Sequence, residues 1–63
     1  MKTYIIYSDN KEVKRFEDQE SDFPTLKYIQ NHQSQSLNYA LKYGGWKVEE
    51  IDKETGKHIF WQA

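Results

Sequence analysis

The sequence predicts a small α+β domain in the order β-β-α-β-β, with an antiparallel sheet packed on one helical segment. Three observations predict it. Residues 2–8 are dense in β-branched and aromatic side chains. Residues 46–62 read as two strands around a polar turn that ends in glycine. Between these ends, apolar residues recur with helical spacing from Leu26 to Leu41.

The first strand candidate, Lys2-Thr3-Tyr4-Ile5-Ile6-Tyr7-Ser8, has the residue types that suit a pleated, half-buried surface. Asp9-Asn10-Lys11 follows, and Asp and Asn tolerate the left-handed backbone of a tight hairpin. A two-residue turn pairs Ile6 with Val13, and a three-residue turn pairs Tyr4 with Phe16. Both bring apolar groups together, so the register stays open. Residues 12–17 form a weaker strand candidate, and the acidic run Glu17–Asp22 reads as a loop.

The helical segment begins at Asp22, a capping residue, with Pro24 in its first turn. It stops at Gly44-Gly45. Gln30–Ser36 contains no apolar side chain, so the segment reads as one helix or as two that abut, with Ser34 or Ser36 capping the second. A strand over 25–29 is the alternative. The terminal hairpin turns at Asp52–Lys57. Pairing Asp52 with Lys57 sets Val48 opposite Trp61, Glu50 opposite Ile59 and Trp46 opposite Ala63. One face then carries Trp46, Val48, Ile59 and Trp61 and is expected to be core. The other carries Ile51 and Phe60 among Lys47, Glu49, His58 and Gln62, and is expected to be mostly wet.

A chain of 63 residues supports one domain. So small a domain buries only about 60% of its unfolded surface. There is no cysteine to staple it, so the ten aromatic residues (five Tyr, three Phe, two Trp) must supply much of the core. Self-association is a second route to burial. Nine basic against ten acidic residues give a net charge of −1. That is neither a phosphate-binding surplus nor an acidic mimic. No apolar stretch reaches the length of a signal or transmembrane segment, and the expected location is the cytoplasm. In its shortness and its Lys, Tyr and Asn content the chain resembles the accessory proteins of phages and mobile elements, although no motif carries that likeness.

Turned at about 100° per residue, the helical segment places Leu26, Ile29, Gln33, Leu37, Ala40 and Leu41 on one side. Tyr28, His32, Gln35, Tyr39 and Tyr43 fall on nearly the opposite side. The aliphatic stripe is a core face. The tyrosine stripe combines rigid rings with hydroxyls, the chemistry enriched at protein interfaces. It is the expected contact surface for a protein partner or a second copy, with the acidic loop Glu17–Asp22 at its margin.

Catalytic and metal-binding chemistry find little support. His32 and His58 are 26 residues apart and have no cysteine to join them. His32 and Ser36 are four apart but lack an orienting acid. Glu49 and Glu50 are adjacent on a strand and point to opposite faces. Gly44-Gly45 lacks the lysine and spacing of a phosphate loop. The sequence therefore predicts no enzyme, cofactor or metal site. The alternative function is nucleic-acid binding on a sheet platform of Tyr4, Tyr7, Phe60 and Trp61 with Lys2, Lys14, Arg15 and Lys47.

Overall fold

Strand β1 (Lys2–Ser8) turns into β2 (Lys11–Gln19) through Asp9 and Asn10, both with positive φ (52° and 67°). This is the backbone that a two-residue hairpin requires. The computed structural model describes residues 1–32 and 36–63. Helices α1 (Phe23–His32) and α2 (Leu37–Lys42) follow, then β3 (Trp46–Asp52) and β4 (His58–Phe60). Among the described residues the strands form one sheet in the order β2-β1-β3-β4, with every neighbouring pair antiparallel. The expected α+β order is observed, with the helical segment divided in two.

The first hairpin combines the two registers that the sequence allows. Its turn has two residues, and Ser8 pairs with Lys11. Ile6 nevertheless lies opposite Lys14 rather than Val13, because the ladder steps from Glu12 to Lys14 and leaves Val13 as a bulge. Beyond the bulge Tyr4 meets Phe16. A second irregularity sets Thr3 against two residues, Glu17 and Asp18, where Asp18 has φ +56°. Strand β2 therefore runs on to Gln19, and the acidic loop expected at Glu17–Asp22 is shortened to its last three residues. The acidic residues enter the sheet because β1 offers partners as far as Lys2, which pairs with Gln19.

The terminal hairpin has the expected register. The Asp52 N–H donates to the Lys57 carbonyl at 2.9 Å, Glu50 pairs with Ile59, and the Trp61 N–H donates to the Val48 carbonyl at 3.0 Å. Gly56 closes the turn with φ +74° and donates to the Asp52 carbonyl at 2.7 Å.

Both helices cover one face of the sheet. Tyr4 and Ile6 of β1 and Val48 of β3 meet Ile29 of α1 and Ala40 of α2 in a buried core. Phe16, Tyr28, Leu37, Leu41, Trp46 and Trp61 pack around it. Tyr4 and Trp61 meet edge to face at 6.0 Å. Ile59, expected in this wall, is 52% exposed. It lines a shallow cleft with Lys2, Glu50, Asp52 and Lys57. On the opposite face the hairpin residues Lys47, His58, Phe60 and Gln62 are exposed and Glu49 and Ile51 half-buried, while Ile5 and Thr3 of β1 are only 4% and 3% exposed. Ile5 and Thr3 lie on a central strand, where Ile5 is flanked by Arg15 and Glu49 and Thr3 by Ile51.

Candidate functional site

The helical segment breaks where its apolar pattern lapses. Ser36 is the N-cap of α2, and its hydroxyl accepts from the Tyr39 N–H at 3.2 Å. At the other end the Gly44 N–H donates to the Tyr39 and Ala40 carbonyls, both at 3.1 Å. A side chain at Gly44 would lie 3.0 Å from Ala40 backbone atoms, so glycine lets the chain double back onto β3. Gly45 takes φ +76°, and its carbonyl accepts from the Asp9 N–H at 3.0 Å. The short helix is thus held at both ends, with Ala40 buried and Leu37 and Leu41 against the core.

This geometry leaves Tyr39 and Tyr43 pointing outward, 48% and 69% exposed. Their rings lie 5.4 Å apart and tilted by 53°. The Lys42 ammonium sits 5.7 Å from the Tyr43 ring centre. The remainder of the expected stripe is elsewhere. Tyr28 is half-buried, packs on the core and meets Phe16 edge to face at 6.2 Å. His32 stacks on Tyr28 at 4.1 Å, and its Nδ1 donates to the Tyr28 carbonyl at 2.8 Å. Gln35, like Gln33 and Ser34, lies outside the described residues. Among the described residues the stripe thus resolves into two pairs on two helices: Tyr28 is half-buried against the core with the exposed His32 stacked on it, while both tyrosines of the α2 pair are exposed.

The residues of the alternative platform do not share a surface. Tyr4 is 4% exposed beneath the helices. Burial, and next the charge of Glu50, pushes its phenol pKa up. Lys14 also lies on the helix-covered side, 5.3 Å from the Phe16 ring centre. Tyr7, Arg15 and Phe60 belong to the open side. Arg15 is paired with Glu12 at 2.9 Å, and Phe60 is 52% exposed. Lys2 binds Glu50 at 2.8 Å, and Lys47 donates to Asn10 Oδ1 at 3.1 Å.

Two carboxylate-centred clusters emerge that local sequence patterns did not show. Glu50, on the helix-covered face, accepts from Lys2 and from Trp61 Nε1 (3.0 Å). The Lys2 hydrogen bond is the main reason its carboxyl titrates below the usual range. Glu49, on the open face, accepts from the Tyr7 hydroxyl at 3.1 Å and contacts His58 Nδ1 at 2.8 Å. The His58 hydrogen bond chiefly lowers its pKa. Each cluster joins β1 to the terminal hairpin; the hairpin register alone sets acidic residues beside His58, whereas Lys2 and Tyr7 are brought in by the β1–β3 pairing, distant in sequence. The two carboxylates work on opposite faces, as adjacent strand residues must. Among the described residues no three His, Asp or Glu side chains are grouped to hold a metal ion. An open cleft of about 270 Å³ lies where α2 meets the hairpin, lined by Leu41, Trp46, Lys47, Phe60, Trp61 and Gln62. No helix among the described residues is long and apolar enough to cross a membrane.

Neither a family model, a curated protein nor a solved structure matches this chain.

Proposed function

We propose that this domain is a non-enzymatic binding module that acts by protein–protein contact, centred on Tyr39 and Tyr43 of α2. The observation that carries the reading is the division of labour on that helix. Leu37, Ala40 and Leu41 face the core, while Tyr39 is left about half exposed and Tyr43 mostly exposed. At ~150–250 Å² per aromatic side chain, their exposed fractions amount to roughly 200 Å². That is about a quarter of one side of a standard interface, near 800 Å² per partner. The pair is thus suited to be the anchor of a contact rather than the whole of it. Two rigid rings lose little conformational freedom on binding, and their hydroxyls stay paired at a wet rim.

The test is affinity capture from a cell lysate with the wild-type domain and with the Tyr39→Ser/Tyr43→Ser variant, both checked for native circular dichroism. A partner retained by the wild type and by a Glu54→Ser control, and lost by the tyrosine variant, is expected. Equal retention by all three refutes the assignment. A labelled single-stranded DNA or RNA titrated at low salt is expected not to bind; binding there would transfer the function to nucleic acid.

A further inference from the structure

Among the described residues the β2 edge of the sheet has no strand beside it. Its sequence there is Lys14-Arg15-Phe16-Glu17-Asp18, two basic residues and two acidic residues around a phenylalanine. An antiparallel partner strand runs in the reverse direction. A second copy of the same strand, turned about a two-fold axis at Phe16, therefore sets Arg15 of each copy against Glu17 of the other. We propose that this chain self-associates through β2, joining two sheets edge to edge into one continuous sheet.

Three observations support this pairing. First, the two charges that it joins are accessible and exchangeable. Arg15 and Glu17 are both exposed. Among the described residues the Glu17 carboxylate makes no hydrogen bond or ion pair, its backbone carbonyl alone accepting from Gln19. Among the described residues Arg15 is hydrogen-bonded only to Glu12 of its own strand, in an exposed pair of the kind that contributes little, with a weaker attraction to Glu17 beside it.

Second, one register stands out. Opposed residues of an antiparallel pair share a face, so a two-fold axis perpendicular to the sheet opposes residues of the same parity. Centring it on Arg15 sets that arginine against itself and Val13 against Glu17. Centring it on Glu17 opposes two carboxylates. Of these three centres only Phe16 sets opposite charges against each other within β2, Arg15 of each copy meeting Glu17 of the other; centres nearer the turn fall on or beside the Val13 bulge, where the regular pairing is interrupted. The Phe16 centre also brings the two Phe16 rings together on the helix-covered side, beside Tyr28.

Third, the bulges delimit the contact. The bulge at Val13 and the positive φ of Asp18 bound a short stretch from Lys14 to Glu17. Bulges and charges commonly guard a sheet edge against indiscriminate pairing. Here they confine pairing to a few residues whose charges select a strand of the same sequence. A two-fold contact of this kind closes on itself and does not propagate. So short an edge makes a weak dimer, well below the area of an obligate interface. This association is separate from the tyrosine surface, and each can fail without the other.

Sedimentation of the full chain from micromolar to millimolar concentration tests the proposal. The wild type is expected to dimerise, and more weakly at high salt, because the joined charges are exposed. Arg15→Glu and Glu17→Arg, each alone, oppose like charges at both symmetric positions. Each is expected to weaken the dimer roughly tenfold or more. An equal mixture of the two variants restores opposite charges at every position and is expected to recover the wild-type association. Tyr39→Ser/Tyr43→Ser leaves the dimer intact. A wild type that stays monomeric throughout overturns the proposal. So do single variants that dimerise like the wild type, a mixture that fails to recover, or a dimer lost with the tyrosines. Native circular dichroism of each variant separates these results from misfolding.

Discussion

Replacing Ile29 by alanine should come close to unfolding this domain. Ile29 is fully buried and is the α1 residue in the core with Tyr4, Ile6, Ala40 and Val48. The change removes three carbon groups, a transfer loss of about 2.4 kcal/mol at ~0.8 kcal/mol per group. The cavity term adds to that, and substitutions of this kind cost about 2–5 kcal/mol in total. A domain of 63 residues has on the order of 3–9 kcal/mol to lose, at ~0.05–0.15 kcal/mol per residue. The expected loss of about 3–4 kcal/mol is therefore a third of the stability or more, and a melting point lower by at least ~12 °C. Urea denaturation, followed by far-ultraviolet circular dichroism and by the fluorescence of Trp46 and Trp61 beside the core, measures it. A loss under about 1 kcal/mol would mean that α1 does not pack on the sheet as described.

Three further outcomes follow from local features. Gly45→Ala should cost more than Gly56→Ala: both glycines have positive φ, but a Cβ at Gly45 meets Asp9 Oδ1 at 2.7 Å while nothing lies within 4 Å at Gly56. Denaturation midpoints should place Gly56→Ala near ~1 kcal/mol of loss and Gly45→Ala clearly beyond it. Thr25→Val should raise stability by about 1 kcal/mol in the same assay, because the Thr25 hydroxyl is buried without a hydrogen-bond partner among the described residues. Acid should weaken the fold through Glu50, held down chiefly by Lys2, and Glu49, held down chiefly by His58. Their folded pKa values lie below the unfolded ones, so their contribution is complete above the ordinary carboxylate range and disappears as pH falls through the folded values. Melting temperature should hold from neutrality to about pH 5 and fall below about pH 4, with a shallower acid limb in Glu50→Gln.

The parts of the fold that were legible in the sequence are those with local causes. The β-branched and aromatic run of β1, the Asp52–Lys57 turn closed by Gly56 and the stop at Gly44-Gly45 each depend on nearby residues. The lapse in apolar spacing over Gln30–Ser36 allowed the break that Ser36 caps but did not decide between one helix and two. What was not legible depends on contacts far apart in the chain. That β1 and β3 lie side by side at the centre of the sheet follows from no local pattern. It decides that Tyr4 is core while Tyr7 is on the open face. The acidic residues of β2 read as loop because an edge strand needs no apolar face. Val13 shows the limit most clearly, since one bulged residue reconciles a two-residue turn with the Tyr4–Phe16 pair. The tyrosine stripe was half legible. Its spacing was sound within each helix, but Tyr28 packs on the margin of the core with the exposed His32 stacked on it, while Tyr39 and Tyr43 are exposed on a separate helix.

The central claim, that Tyr39 and Tyr43 are surface held for a partner, is tested most directly by oxidative footprinting of the tyrosines, in the dilute purified chain and in the partner-bound fraction. The account predicts rapid modification of Tyr39 and Tyr43 in the free chain, their protection in the bound fraction, and protection of Tyr4 in both. Tyr39 and Tyr43 protected in the free monomer, or as reactive in the bound fraction as in the free one, would contradict it.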